Sequence, residues 1–342
     1  MNLFTILVYP LAILYDLVTR VRNRMYDLGL KPSVKFDIPV VSVGNLAVGG
    51  TGKTPMIEHL IRLLSPQYGV ATLSRGYKRQ TRGFRIAQPK DSALTLGDEP
   101  YQFYKKFRDK IVVAVGEERA IAIPLILDHQ PETQIILLDD AYQHRRVKPS
   151  FQMVLTDHKA PFYKDFLLPA GRLRESRKNA NRADAIVVSK CPSTMMEEEM
   201  IEIEASIRKY SDKPVFFSTI RYGELEPING KVFTTDQVVL VTGIAHAESL
   251  QAYVASTYKL VKHFDFSDHH YYSAEDLEQI TAIAREHHAA IITTEKDATK
   301  IDSVNLRPFL GDTPFFCLPI EIEFLKNGED FDAMILNAVK NA

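Results

Sequence analysis

A lysine and a threonine follow a glycine-rich run near residue 50. Glycines let backbone N–H groups converge on phosphate oxygens, the lysine holds the β- and γ-phosphates, and the threonine hydroxyl is a ligand for Mg²⁺. The pattern therefore predicts a site for a nucleoside triphosphate and its metal ion. The predicted nucleotide-binding residues are Gly49, Gly50, Thr51, Gly52, Lys53 and Thr54, of which Thr54 is also a metal ligand.

The segments on either side of this loop favour the same interpretation. Val40–Val43 is apolar and β-branched and predicts a buried strand, whereas apolar residues recur at helical spacing from Met56 to Leu64. The strict pattern has a glycine where this chain has Ala47, so it fails at one position. The strand-to-helix context outweighs that mismatch, and the alternative is a glycine-rich turn before an ordinary helix.

Carboxylates that could hold the metal or accept a proton occur at two further places. Asp139 and Asp140 follow the apolar run Ile135–Leu138, as a Walker B acid follows a buried strand. Asp98 precedes a helix-like segment, where an acid also serves as a helix cap. The residues alone leave both a cap and a general base open for Asp98.

Three charged clusters have weaker signals. The run Leu73–Arg79 holds three cations and an aromatic ring, which suit an anionic substrate or an exposed basic loop. The run Leu167–Glu175 joins arginines to Glu175, which would neutralise phosphate charge and complete a magnesium shell, or remain solvated. Adjacent histidines in Phe266–His270 suggest a metal only weakly, because no further ligands stand at a metal spacing.

The order of apolar runs predicts an α/β fold with a parallel sheet covered by helices. We predict a P-loop NTPase-type parallel sheet domain over residues 1–213, a hairpin-like linker over 214–235 and a smaller α/β domain over 236–342. A terminal helix near 330–339 is not assigned to either domain. The predicted strands of the linker and of the smaller domain include Val215–Ile220, Lys231–Phe233, Val238–Val241, Ile291–Thr293 and Phe315–Leu318.

Composition excludes some functional classes. The 342 residues are 45% apolar and 25% charged, as in a soluble globular protein of two domains. The net charge of −1 gives no basic field for nucleic acid, so we expect no nucleic-acid partner. Two distant cysteines, Cys191 and Cys317, fit a reducing cytosolic setting.

The N-terminal segment is unusually apolar. Leu3–Leu17 is too short for a comfortable membrane span and is followed by Arg20, Arg22 and Arg24. A helix in the membrane interface, with its arginines near lipid phosphates, fits this pattern. A helix packed on the protein core fits it equally well.

These motifs occur together, in the same order, in one family. The chain resembles the tetraacyldisaccharide 4′-kinases of lipid A biosynthesis from its N-terminal apolar segment to about residue 300. The matching runs are Ser42–Leu46, Val48–Pro55, Leu73–Arg79, Gly97–Pro100, Glu117–Arg119, Leu138–Asp140, Gln143–His144, Leu168–Glu175, Asp268–His269 and Thr294–Asp297.

The resemblance implies a kinase that uses ATP and Mg²⁺ to phosphorylate the 4′-hydroxyl of tetraacyldisaccharide 1-phosphate, which yields lipid IVA. It implies a monomer at the cytoplasmic face of the bacterial inner membrane, held to the lipid surface by residues 1–24. The implied catalytic residues are Asp98 as general base, His269 as its partner, and Lys53. The implied substrate-binding residues are Asn45, Arg75, Tyr77, Arg119 and Arg174, and the implied metal residues are Thr54, Asp139, Asp140 and Glu175.

The chain departs from the family pattern at Ala47, at Ala141-Tyr142 and at Ser176, and none of these changes removes a reactive group. Two other functions stay open on sequence grounds. A membrane-associated P-loop nucleotide switch would need no base for an acceptor hydroxyl, so Asp98 would be inert in it. A kinase with a soluble substrate would leave the apolar N-terminus without a role.

Overall fold

The computed structural model describes residues 3–303 and 305–342, and the side chains of the first helix from Leu7 onward. Of the predicted membrane-contacting segment, residues 1 and 2 lie outside the described residues. The α-helices are α1 (Leu3–Asp27), α2 (Lys53–Leu64), α3 (Ala93–Leu96), α4 (Asp98–Phe107), α5 (Arg119–His129), α6 (Glu197–Arg208), α7 (Glu248–Thr257), α8 (Ala274–Glu286), α9 (Glu295–Ile301) and α10 (Gly328–Lys340). The strands are β1 (Val40–Asn45), β2 (Val70–Ser74), β3 (Arg85–Ile86), β4 (Ile111–Val115), β5 (Ile135–Asp139), β6 (Phe151–Asp157), β7 (Ala185–Ser189), β8 (Val215–Tyr222), β9 (Glu226–Pro227), β10 (Gln237–Thr242), β11 (Lys259–Asp265), β12 (Ala290–Thr294), β13 (Phe315–Leu318) and β14 (Ile320–Lys326).

A nine-stranded sheet forms the larger part of the molecule, in the order β14-β8-β7-β6-β1-β5-β2-β4-β3. Its pairs are parallel except at the two edges, where β14 and β3 run antiparallel to their neighbours. Strands β1, β2, β5 and β7 are buried at every position, as their continuous apolar runs require when helices cover both faces of a sheet. The predicted α/β class with a parallel sheet is confirmed.

A second sheet of five strands has the order β11-β10-β12-β13-β9. Its central pairs are parallel, and only the short strand β9 runs antiparallel, against β13. Helix α8 packs on one face through Leu277 and Ile280, and α7 packs on the other through Leu250 and Val254. This sheet carries α9, whose first residue directly follows β12.

The hairpin predicted over residues 214–235 is wrong. Strand β8 pairs with β7 and with β14, and within the described part of the chain Lys231–Phe233 forms no strand. The alternating side chains Ile320, Ile322 and Phe324 mark β14, and Ile322 and Phe324 pack against the large core, so burial selects this distant partner for β8. The domain limits stay a prediction.

The terminal helix packs on the large sheet. Phe331, Ile335 and Val339 of α10 lie in the same buried cluster as Val41 of β1 and Met56 of α2. Because α2 follows the glycine-rich loop, the C-terminal residues of the chain help to hold the helix that the loop begins.

Candidate active site

The glycine-rich loop lies at the carboxyl end of β1, in the centre of the large sheet. Gly49 and Gly52 have φ values of 112° and 75°, which side chains rarely allow, so these positions need glycine. Beneath the loop, the buried Asn45 amide donates to the Thr51 hydroxyl at 2.8 Å. Ser189, at the end of β7, donates to the Thr51 carbonyl at 2.9 Å. The loop is therefore held from the ends of two strands, β1 and β7, which lie on either side of β6.

Two carboxylates stand beside this loop, where β5 ends. The Asp140 carboxylate lies 3.9 Å from the Lys53 ammonium and takes two hydrogen bonds from the Arg174 guanidinium, at 2.7 and 3.3 Å. Burial would raise the pKa of Asp140, but the charges of Lys53 and Arg174 lower it below its usual value. The carboxylate is therefore ionised at neutral pH, which suits a site for metal and phosphate.

Asp139 is buried more deeply than Asp140. Its Oδ2 lies 3.3 Å from the Ser74 hydroxyl of the neighbouring strand, whereas its buried Oδ1 has no hydrogen-bond partner among the described residues. Burial raises the pKa of Asp139 to about 6, although Lys53 opposes the rise. An unpartnered carboxylate oxygen next to the glycine-rich loop has the donor chemistry that Mg²⁺ requires.

Glu175 lies in a different environment from these acids. It is fully buried, and its Oε2 accepts hydrogen bonds from Asn23 of α1 at 3.0 Å, Asn179 at 2.8 Å and Arg182 at 2.7 Å. The structure thus places Glu175 where it joins α1 to the loop that carries Arg174. Its role as a metal residue stays a prediction.

Asp98, on a helix that packs on the large sheet, and His269, in a loop of the small sheet, contact each other across the interface between the two sheets. The His269 Nδ1 lies 2.8 Å from the Asp98 Oδ2, and the Lys296 ammonium lies 3.3 Å from the His269 Nε2. Because an ammonium only donates, Nε2 is the acceptor and Nδ1 carries the proton that is donated to Asp98. The N-cap of α4 is Gly97, and Asp98 is the first residue of the helix. The interpretation of Asp98 as the helix cap is therefore wrong.

Two lysines of α9 complete this group. The Lys300 ammonium lies 3.8 Å from the Asp98 carboxylate, and Lys296 lies 3.3 Å from Glu99 and 3.1 Å from Asp268. Burial would raise the pKa of Asp98, but the hydrogen bond from His269 and the two lysine charges lower it below its usual value. We call Asp98, His269, Lys296 and Lys300 the base side of the site, and residues 49–54 with Asp139 and Asp140 the phosphate side.

The side chains of the predicted substrate-binding residues differ in their exposure to solvent. Arg75 and Tyr77 are exposed, and the Tyr77 ring lies 5.5 Å from the His269 ring, so this loop borders the base side. Arg119 is 1% exposed, and its guanidinium donates to the carbonyls of Gly116 and Glu117. Burial lowers the pKa of Arg119 to about 10, so it stays charged near Asp139.

Comparison with known proteins places this arrangement in one family. A family model described as tetraacyldisaccharide-1-P 4′-kinase matches residues 4–340. The chain belongs to this family. The tetraacyldisaccharide 4′-kinase of Flavobacterium johnsoniae is 43% identical, with 99% of this chain and 98% of its own length covered. The corresponding kinase of Bacteroides thetaiotaomicron is 40% identical, with 97% and 92% covered.

A solved structure agrees with the fold of this kinase. The "apo" form of LpxK from Aquifex aeolicus, crystallised in complex with ATP, superposes with a TM-score of 0.77 at 28% identity and covers 98% of this chain and 100% of its own. The P-loop NTPase-like fold is thereby confirmed. The predicted activity, ATP-dependent 4′-phosphorylation in lipid A synthesis, is confirmed by family membership, and a lipid A precursor is the substrate class that it implies.

Sequence reasoning assigned no role to several residues that the structure brings to the site. Ser74 ends β2 and contacts Asp139, and Ser189 ends β7 and contacts the loop. Lys190 donates to the Gly50 carbonyl and pairs with Asp157 at 3.1 Å. The position of each at the carboxyl end of an apolar run was the available signal.

Helix α1 has two contrasting faces. Ala12, Thr19 and Asn23 are buried against the protein, and Arg22 donates to the Gln143 carbonyl rather than pointing away from the protein. The opposite stripe is apolar and more than half exposed; it consists of Leu7, Leu11, Ile13, Leu14, Leu17, Val18 and Val21. In the described part of the chain, no helix is long and apolar enough to cross a membrane.

Proposed function

We propose that this kinase transfers the γ-phosphate of ATP with Asp98 as the general base for the 4′-hydroxyl of the tetraacyldisaccharide 1-phosphate. The observation that carries the proposal is the contact between Asp98 and His269 at 2.8 Å. It leaves the Asp98 Oδ1 without a hydrogen bond from any described residue, so this oxygen is available to the acceptor hydroxyl. The lowered pKa keeps the carboxylate ionised and ready to accept a proton at neutral pH.

The phosphate side holds the other reactant. The backbone N–H groups of residues 49–54 would surround the phosphate oxygens at the N-terminus of α2, and Lys53 would neutralise charge on the γ-phosphate. Thr54, Asp139 and Asp140 would supply oxygen ligands for Mg²⁺, which would neutralise charge that develops on the phosphate oxygens. Arg174 keeps Asp140 in place through its paired hydrogen bonds.

Both sides of the site include a strained residue. Asp140 has a φ of 46° and His269 a φ of 63°, which place two non-glycine residues in the left-handed region. Such conformations cost on the order of 1–3 kcal/mol and persist where the surroundings hold a group in a functional position. The strain supports a chemical role for both residues.

The activity is tested by transfer of labelled γ-phosphate from ATP to detergent-dispersed tetraacyldisaccharide 1-phosphate. We expect the wild type to form the bisphosphorylated lipid and Asp98→Ala to lose nearly all transfer. The matched control is Asp109→Ala, which changes an exposed aspartate just after the same helix. ATP hydrolysis with no labelled lipid in the wild type would contradict the proposal and favour a nucleotide switch.

We also propose that α1 holds this kinase, as a monomer, at the cytoplasmic face of the inner membrane. The exposed stripe recurs at spacings of three and four residues, which gives one apolar face for the lipid interface. Leu14→Glu should reduce co-sedimentation with anionic phospholipid vesicles. Its control is Ile201→Glu on α6, because Ile201 is 60% exposed and Leu14 is 58% exposed. Equal loss in both variants would contradict a specific role of α1.

A further inference from the structure

A buried charge cluster lies at the interface between the two sheets, away from the reacting groups. The Lys106 ammonium of α4 pairs with Glu58 of α2 at 2.6 Å and with Glu295 of α9. Glu58 is 1% exposed and Lys106 only 21% exposed at its side chain. We call Glu58, Gln102, Lys106 and Glu295 the interface cluster.

Every carboxylate oxygen of this cluster has a donor. The Glu58 Oε1 accepts from the Gln102 amide at 2.9 Å, and its Oε2 accepts from Lys106. The Glu295 Oε1 accepts from Lys106, and its Oε2 accepts from the Ile320 backbone N–H at 3.1 Å. A fully satisfied buried network specifies one arrangement of the elements that contribute to it, because leaving any member unpaired is costly.

The helices that the cluster joins are those that present the site. Helix α2 begins at Lys53 and α4 begins at Asp98. Helix α9 begins at Glu295 and carries Lys296, which contacts His269, and Lys300, which contacts Asp98. One lysine thus ties together three helices whose first turns lie at the site.

Lys106 itself is too far from the reacting groups to take part in chemistry. It lies eight residues after Asp98 on one helix, which corresponds to about 12 Å along the axis. Any effect of Lys106 on transfer must therefore pass through the positions of the helices that it joins.

We infer that Lys106 is a positioning residue, which fixes α9 against α2 and α4 and so keeps Lys300 and His269 in contact with Asp98 and Lys296 in contact with His269. This inference rests on the proposed function of Asp98 as the base. A role only in folding stability predicts instead that Lys106 variants lose transfer in proportion to the folded protein that they lose.

The first test compares Lys106→Met with Lys106→Arg and with Lys110→Met, which removes an exposed lysine just after the same helix. We expect Lys106→Met to lower kcat by about tenfold to a hundredfold, the range that misplacement of a catalytic group produces. The KM for ATP should stay within about twofold, Lys106→Arg should recover part of kcat, and Lys110→Met should match the wild type. An unchanged kcat in folded Lys106→Met would overturn the inference.

The second test removes the base. In an Asp98→Asn background, Lys106→Met should cause no further loss of transfer, because Lys106 acts through Asp98. An equal loss in both backgrounds would contradict the inference. If Lys106→Met does not fold, Glu295→Gln keeps Lys106 paired with Glu58 and removes the charge that links Lys106 to α9, while its one amide oxygen can still accept from the Ile320 backbone N–H, so it should give the same pattern.

A third readout does not depend on turnover. The Nδ1 proton of His269, assigned in the NMR spectrum with His269→Gln, reports the hydrogen bond to Asp98. We expect its downfield resonance to disappear in Lys106→Met and to persist in Lys110→Met. Persistence in both variants would overturn the inference even if the lipid were not the substrate, so this failure is distinct from failure of the proposed function.

Discussion

The phosphate side of the site comes from a single sheet, whereas the base side requires two. Lys53 follows β1, and Asp139 and Asp140 lie at the end of the neighbouring strand β5, whose register pairs Val43 with Asp139. Asp98 belongs to a helix on the large sheet, and His269 follows the first strand pair of the small sheet. The first arrangement is fixed by strand pairing, and the second depends on how the two parts pack together.

This difference separates nucleotide binding from transfer. The phosphate side is built from the large sheet, so we expect it to hold ATP whenever that sheet is folded. The base side is complete only when α9 and the loop with His269 contact α4. Closing the two parts over bound substrates would also keep water from the γ-phosphate, which limits wasteful hydrolysis.

The largest expected effect comes from breaking the base side alone. Asp98→Asn keeps the size of the side chain but removes its charge, so we expect kcat to fall by about 10²–10⁴-fold. The dissociation constant for ATP, measured by calorimetry, should stay the same because no residue of the phosphate side changes. Asp109→Asn serves as the control. Weaker ATP binding in Asp98→Asn would show that the two sides are not separate.

The second effect comes from the phosphate side. The Lys53 ammonium faces Asp140, and its charge lowers the pKa of Asp139 and of Asp140. Because Lys53→Met removes this cation, ATP binding and phosphate transfer should both be weakened. We expect kcat to fall by about 10²–10³-fold and the ATP dissociation constant to rise. Lys90→Met, at an exposed lysine, is the control. A loss of kcat with unchanged ATP binding would erase the contrast with Asp98→Asn.

The smallest effect concerns stability at the interface between the parts. Burial and the charge of Glu295 raise the pKa of Glu58 to about 7, although Lys106 and Arg62 oppose the rise. Between pH 4.5 and about 7, the folded state therefore keeps a proton that the unfolded state has released. This contribution of Glu58 to the free energy of unfolding falls as pH rises through that window.

Glu58→Gln removes this ionisation and keeps the acceptor for Lys106. The difference in free energy of unfolding, Glu58→Gln minus wild type, should be larger at pH 8 than at pH 5 by on the order of 1–3 kcal/mol. Denaturant unfolding at the two pH values measures the change. Glu198→Gln, at an exposed glutamate of α6, should show no such trend. A parallel pH profile for Glu58→Gln and the wild type would contradict a raised pKa.

Sequence reasoning succeeded where signals are local. The strand, the loop and the start of α2 are contiguous, and the strand predicted at Phe315–Leu318 has the observed bounds. It failed at β14, because the partner of that strand lies about a hundred residues away and nothing nearby in the chain reveals the pairing. Long-range register is decided by burial in the whole fold, which no short window contains.

The base side shows the same limit. The meeting of Asp98 and His269 was expected from resemblance, since 171 residues separate them and periodicity does not link them. The burial of Glu175 and Arg119 could not be read from their charged neighbours, which suggested solvent or substrate. Tertiary packing, which decides whether a charge faces solvent or the protein interior, supplied this information.

The register of β8 with β14 has a consequence for the construction of the chain. Tyr222 of β8 and Ile320 of β14 are direct partners. The chain therefore leaves the large sheet after Tyr222 and returns to it at the paired position, Ile320, so residues 223–319 lie between two adjacent positions of the sheet. The whole five-stranded sheet is thus an insertion at the tip of a two-stranded ribbon. A shortened chain that joins these two residues by a tight turn would retain all nine strands, the glycine-rich loop and α10. It would lack His269 and both lysines of α9, and we expect it to bind ATP without phosphorylating the lipid.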